Sequence, residues 1–169
     1  MQDAGSPLYP LLKKDFQLNF VKQALKKYAN IQQNVSTHID TLIDLGVPDR
    51  RLHTLPSQYL ALLENTDFLI HDGLSLQEIS QLKTQHFKVQ QLCDALAHYN
   101  IPETIEHGDF TVNNMLINKQ HEIIINDWGD AVVTHPFFSL YYFLDDALED
   151  YETSLWSSVK NTVEETYIG

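Results

Sequence analysis

The feature that most limits how this 169-residue chain can fold is a change of periodicity at Pro102. Before it, apolar residues recur at helical spacing, with Phe16, Phe20, Val21, Ala24 and Tyr28 setting the pattern from Asp15 onward. After it come three short segments, Thr104 to Glu106, Met115 to Asn118 and Glu122 to Asn126, separated by polar residues. The last contains Ile123-Ile124-Ile125, a β-branched run that predicts a buried strand. Lys119-Gln120-His121 joins the second and third segments as a hairpin turn. The pattern predicts an α+β fold, mainly helical, with a small strand-loop-strand insert at about residues 104–131.

The helical part divides at its own punctuation. Residues 1–10 read as a linker, because Gly5, Pro7 and Pro10 interrupt any apolar period. A second helix is expected from Thr37 to Leu45, stopped by Gly46 with Pro48 beyond it. A third opens at Pro56-Ser57 and carries Tyr59, Leu60, Leu62 and Leu63, followed by an Asp72-Gly73 turn. Ser75 and Glu78 have the spacing of a capping box. The helix they open is expected to run unbroken to about Tyr99, through Leu76, Ile79, Leu82, Phe87, Val89, Leu92, Ala95 and Leu96. Asn100 and Pro102 end it. Helical pattern returns at Pro136, and a final helix is expected from Glu152 to about Ile168. The aromatic residues Phe137, Phe138, Tyr141, Tyr142 and Phe143 read mostly as core by their spacing.

Composition narrows the function. Eleven Lys plus Arg stand against twenty-three Asp plus Glu, a formal charge of -12. That balance argues against a nucleic-acid partner, which needs Lys and Arg on phosphates. It suits a cationic small substrate, and equally a plain well-solvated acidic surface. Cys93 is the only cysteine, so no disulfide framework can form within the chain and a reducing cytoplasm is the simplest compartment. Cys93 itself lies in an apolar helical stretch and is expected to be a small buried residue. No apolar run approaches the ~20 residues that span a bilayer, so no membrane role is expected. The eight histidines show no zinc-ligand spacing.

The chemistry concentrates in the insert. His107-Gly108-Asp109-Phe110-Thr111-Val112-Asn113-Asn114 precedes one apolar segment, and Asp127-Trp128-Gly129-Asp130 ends the next. Phosphoryl transfer needs divalent metal on the spread negative charge, hard oxygen ligands for that metal, and a carboxylate to take the acceptor's proton. Asp109, Asn114 and Asp127 supply that set. The plainer reading is that Asp109 and Asn114 cap a turn, which both residue types do well. It leaves unexplained the second polar cluster, directly after a buried strand.

Taken together, H-G-D, Asn at the fifth position after Asp109, two apolar segments and I-x-D-W resemble the catalytic segment of the aminoglycoside phosphotransferase and choline kinase superfamily. More distantly they resemble the protein-kinase H-R-D-x-x-x-x-N and D-F-G pair. The resemblance implies an enzyme that transfers the γ-phosphate of ATP, with Mg2+, to a hydroxyl of a small molecule. It implies Asp109 as the catalytic base, Asn114 and Asp127 as metal ligands, and His107 as a structural brace of the loop. There are two departures. Thr111 stands where protein kinases carry a lysine, as is usual outside that group. His135-Pro136-Phe137-Phe138-Ser139-Leu140 stands where many relatives carry Gly-Asp-Pro-x-x-Asp-Leu, so an acidic structural contact is replaced.

The family's fold has two lobes, and the resemblance assigns residues 11–169 to the C-terminal, helical one. No Gly-rich cluster or Lys-bearing strand precedes Asp109, so the N-terminal ATP-binding lobe is expected to be absent from these 169 residues. Residues 1–10 would then be the interlobe hinge, with Asp3, Ala4 and Gly5 beside the adenine. Asp130, Asp145, Asp146 and Glu149 are the candidate substrate-facing acids, near where the family's acceptors lie. The isolated chain is expected to have negligible activity, because positioning supplies nearly all catalysis in this reaction class. The alternative is a non-catalytic, pseudokinase-like or protein-interaction module.

Overall fold

One long helix organises the chain: α2, Leu18–Val35, places Phe20, Val21, Ala24, Leu25, Tyr28, Ala29 and Gln32 on a single buried face. These recur at three- and four-residue intervals, the spacing that keeps side chains on one stripe of a helix. The computed structural model describes residues 5–140, 142–144 and 161. Ahead of α2 lie strand β1 (Ser6–Pro7) and helix α1 (Tyr9–Lys14). After it come α3 (Ile39–Asp44), α4 (Leu55–Glu64), α5 (Thr66–His71), α6 (Leu76–Thr84) and α7 (His86–Ala97). Strands β2 (Thr104–Glu106), β3 (Met115–Ile117), β4 (Ile123–Ile125) and β5 (Val132–Thr134) follow.

The strands form two small sheets. In one, β3 lies between β1 and β4, antiparallel to both; in the other, β2 pairs antiparallel with β5. The stripe of α2 packs across β4 and β2. Phe20, Tyr28, Phe110, Met115, Ile123, Ile125 and Phe143 thereby join one core. Alternation decides which strand residues enter it: Ile123 and Ile125 are buried and Ile124 between them is only half-buried. A second, smaller cluster of Leu63, Leu69 and Ile79 holds α4, α5 and α6 together, with Tyr59 and Leu74 against it.

The fold is α+β and mainly helical among the described residues, as the sequence predicts. The capping box forms: Ser75 Oγ accepts from the Glu78 amide, and the Glu78 carboxylate accepts from the Ser75 amide at 2.8 Å. Gly46 and Gly73 take positive φ at the expected turns, and Cys93 is buried. The hairpin closes with the Asn118 amide donating to the Glu122 carbonyl.

Several expectations need correction. Within the expected linker of residues 1–10 there is regular structure: Ser6–Pro7 form β1, and α1 opens at Tyr9. Leu8 is wholly buried and its amide donates to the Met115 carbonyl at 2.9 Å. Pro10 stands in the first turn of α1, where a missing N–H is no loss. The expected helix to Tyr99 breaks at Gln85 into α6 and α7. There the Leu82 carbonyl accepts from the Gln85 amide, and from the Tyr59 hydroxyl at 2.7 Å, instead of from residue 86. The break lets both halves pack on α4. Helix α5 and strand β5 were not anticipated. Of the aromatic group after Pro136, Phe143 is buried, but Phe138 and Tyr142 are exposed. Tyr141, Asp145, Asp146 and Glu149 lie outside the described residues, as does nearly all of the expected final helix.

The two clusters differ in how far they can relax around a void. Leu25 sits wholly buried in the large core, whereas Leu63 belongs to a cluster of three buried residues. Leu25→Ala should cost about 3–5 kcal/mol and Leu63→Ala about 2–3 kcal/mol in urea unfolding, since cavity cost follows how well a site collapses. Equal costs would mean that the two clusters behave as one core.

Candidate active site

Two loops meet between the small sheets: residues 107–114 link β2 to β3, and residues 126–131 link β4 to β5. Each is fixed by its backbone and by alternate side chains. His107 is wholly buried; its amide donates to the Tyr28 hydroxyl at 2.9 Å, and its ring Nε2 pairs with the Asn126 carbonyl at 2.7 Å. With a carbonyl as partner, Nε2 must be the nitrogen that carries hydrogen. Phe110, also buried, stacks on Tyr28 with ring centres 3.9 Å apart. Between these two anchors Asp109 is exposed.

Gly108 makes the approach of the two loops possible. Its φ is +80°, and a Cβ there would stand 2.3 Å from the Asp130 carbonyl oxygen. Only glycine meets both demands. A 3-10 turn at Val112–Asn114 then brings Asn114 back toward Asp109. Asn114 Nδ2 donates to the Asp109 carbonyl at 2.8 Å and to its carboxylate at 2.7 Å. The second loop is tied to the same point, because the Asn126 amide donates to the Asn114 carbonyl at 2.9 Å. Asp127 follows in the left-handed region, φ 61° and ψ 58°, a conformation that costs energy for any residue with a Cβ. Trp128 packs its ring 4.7 Å from that of His107 and donates Nε1–H to the Ile125 carbonyl.

The sequence candidates are therefore brought together in part. Asp109 and Asn114 are hydrogen-bonded, Asp127 adjoins Asn114 through the backbone, His107 underlies both loops, and Asp130 faces Gly108. Gly5 is elsewhere: it packs against Ile117, at the end of β3 away from Asn114. Asp3 and Ala4 lie outside the described residues.

For a hard cation the donor set fits. Asn114 turns Nδ2 to Asp109, which leaves its Oδ1 as the oxygen to offer; Asp127 is exposed and follows Asn126, whose amide donates to the Asn114 carbonyl. Among the described residues no three His, Cys, Asp or Glu side chains cluster closely enough to hold a metal. A cation at Asn114 and Asp127 would thus complete its shell with phosphate oxygens and water, as Mg2+ commonly does.

One residue escaped the sequence reading. Glu106 is wholly buried, immediately before His107. Burial pushes its carboxyl above the usual range, and hydrogen bonds from Ser139, Tyr28 and Gly108 oppose that shift. A glutamate on a half-apolar strand carries no signal of burial in sequence.

The sequence matches the phosphotransferase enzyme family over residues 32–161, more than half of its length. The chain belongs to that family, the superfamily of the aminoglycoside phosphotransferases and choline kinases. No curated protein matches it.

Gly108→Ala should destabilise the protein by at least about 2 kcal/mol, from the strained φ together with the clash on Asp130. Denaturant unfolding tests it, and a loss below half that value would show that the loops can separate at little cost.

Proposed function

We propose that the chain is the C-terminal lobe of a kinase-like, ATP-dependent phosphotransferase of the cytoplasm whose acceptor is a hydroxyl of a small molecule. The observation that carries this reading is the Asn114–Asp109 hydrogen bond beside the left-handed Asp127. A turn-capping pair would not need a left-handed aspartate in the loop that its own backbone is bonded to. Energetically awkward backbone persists where the surroundings enforce it, and such sites cluster at functional centres.

In the proposed mechanism the acceptor hydroxyl approaches Asp109. As its oxygen forms a bond to the γ-phosphorus and the bond to the ADP oxygen breaks, the Asp109 carboxylate takes its proton. The Asn114 amide keeps that carboxylate aimed and leaves one of its oxygens open. Asn114 Oδ1 and Asp127 would hold Mg2+, which supplies charge neutralisation on the phosphates. His107 keeps both loops in register from below. Asp130, exposed next to Gly108, would draw a cationic acceptor, as would Asp145, Asp146 and Glu149. Residues 1–10 would mark the hinge to a covering lobe, with Asp3, Ala4 and Gly5 at the adenine. The alternative of a non-catalytic module draws no support from a loop in which base, amide and second carboxylate are all present.

The test joins binding to turnover. Calorimetry with Mg-ATP, and ADP release with a panel of amine alcohols and amino sugars, should give activity in a form that carries the proposed covering lobe and almost none in these 169 residues alone. Asp109→Asn should lower turnover about 100-fold or more with little effect on nucleotide affinity, the scale of a lost general base. Asp127→Ala should abolish Mg-ATP binding. Robust turnover by Asp109→Asn would sink the assignment of the base.

A further inference from the structure

Glu106 is out of place for a strand residue packed under a long helix. A carboxylate taken wholly out of water is costly unless donors converge on it. Here they arrive from three parts of the chain. Ser139, on the segment after β5, donates its amide to Oε1 at 3.2 Å and its hydroxyl to Oε2. Gln32 on α2 directs Nε2 at Oε1 from 3.5 Å. Tyr28, one turn earlier on α2, and the Gly108 amide donate as well. An apolar side chain would fill the same space at less cost, and it would join none of these groups.

We infer that Glu106 is a positioning residue for the candidate catalytic loop: its buried carboxylate ties the Gly108 amide and the Tyr28 hydroxyl to Ser139, and so fixes where Asp109 stands. The inference rests on the reading of Asp109 as the base. The path is short and fully connected. Tyr28 donates to Glu106 and accepts from the His107 amide, so residues 106, 107 and 108 are each held in turn just before Asp109. The far end of the tie matters equally. Ser139 is buried, and its carbonyl accepts from the Phe143 amide, at the start of the helical turn that carries Phe143 onto Phe110. Both neighbours of Asp109, Gly108 through its amide and Phe110 through its ring, are therefore referred to one carboxylate.

Glu106→Gln is the discriminating change. It preserves shape and sets an amide N–H where donors now point. In a form that carries the proposed covering lobe the variant should unfold cooperatively. Amide hydrogen exchange at residues 107–111 should quicken about tenfold or more while β3 and β4 keep their protection, as expected when a local tie opens without global unfolding. Turnover of Mg-ATP should fall about 10- to 100-fold with KM for the nucleotide within about threefold, the signature of a misplaced catalytic group. Unchanged exchange at 107–111 would overturn the inference. Faster exchange with wild-type turnover would also overturn it, leaving Glu106 purely structural. If the wild type shows no Asp109-dependent turnover, the phosphotransferase reading fails, and exchange alone decides whether Glu106 holds the loop. Should Glu106→Gln not fold, Ser139→Ala keeps the carboxylate and removes one donor. It should show the same pattern at about threefold or more, the scale of one typical net intramolecular hydrogen bond. Wild-type behaviour in both readouts would overturn the inference.

Discussion

The buried hydroxyl of Tyr28 is the contact on which the rest of the site depends. A phenol taken out of water must find partners for its oxygen. This one finds them in the loop itself, accepting from the His107 amide and donating to Glu106. The ring beneath it stacks on Phe110. The position of α2 and the course of the loop are consequently one quantity: neither can shift without leaving a buried polar group unmatched. Gln32, four residues on and so on the same face, repeats the arrangement, donating to the Pro136 carbonyl at 2.9 Å while the Thr104 hydroxyl donates to the Gln32 carbonyl. Through two side chains α2 addresses β2, the loop and the segment after β5.

This explains what could be seen in the sequence. Thr104 to Glu106 and the Ile123 run were legible as strands because apolar and β-branched residues fall between turn residues. The Ser75–Glu78 box was legible because it is local chemistry at fixed spacing. Asp109, Asn114 and Asp127 stood out because the proposed phosphoryl transfer calls for those residue types. What stayed hidden was decided at long range. The break at Gln85 follows from the Tyr59 hydroxyl, twenty-three residues from the carbonyl it takes. Strand β1 forms because β3 offers an open edge, and β5 because β2 does. The role of Tyr28 was read as apolar periodicity alone, and Glu106 was invisible because its donors come from residues 28, 32, 108 and 139.

Order and exposure are kept apart in the two loops. The buried residues, His107, Phe110, Val112 and Met115, fix the backbone. The side chains proposed for the chemistry, Asp109, Asp127 and Asp130, remain in solvent. Asp109 has the Asn114 amide as its partner, and that bond comes from within the same loop. Such a division suits catalysis by preorganisation. Groups that must meet developing charge are effective when their orientation is set before the substrate arrives, so that none of the binding energy goes into arranging them. Desolvation can come later, with the substrate and whatever closes over it. The left-handed turn at Asp127 belongs to the same logic. The bond from Asn126 to Asn114 on one side and the Trp128 ring against His107 on the other enforce that turn of the backbone.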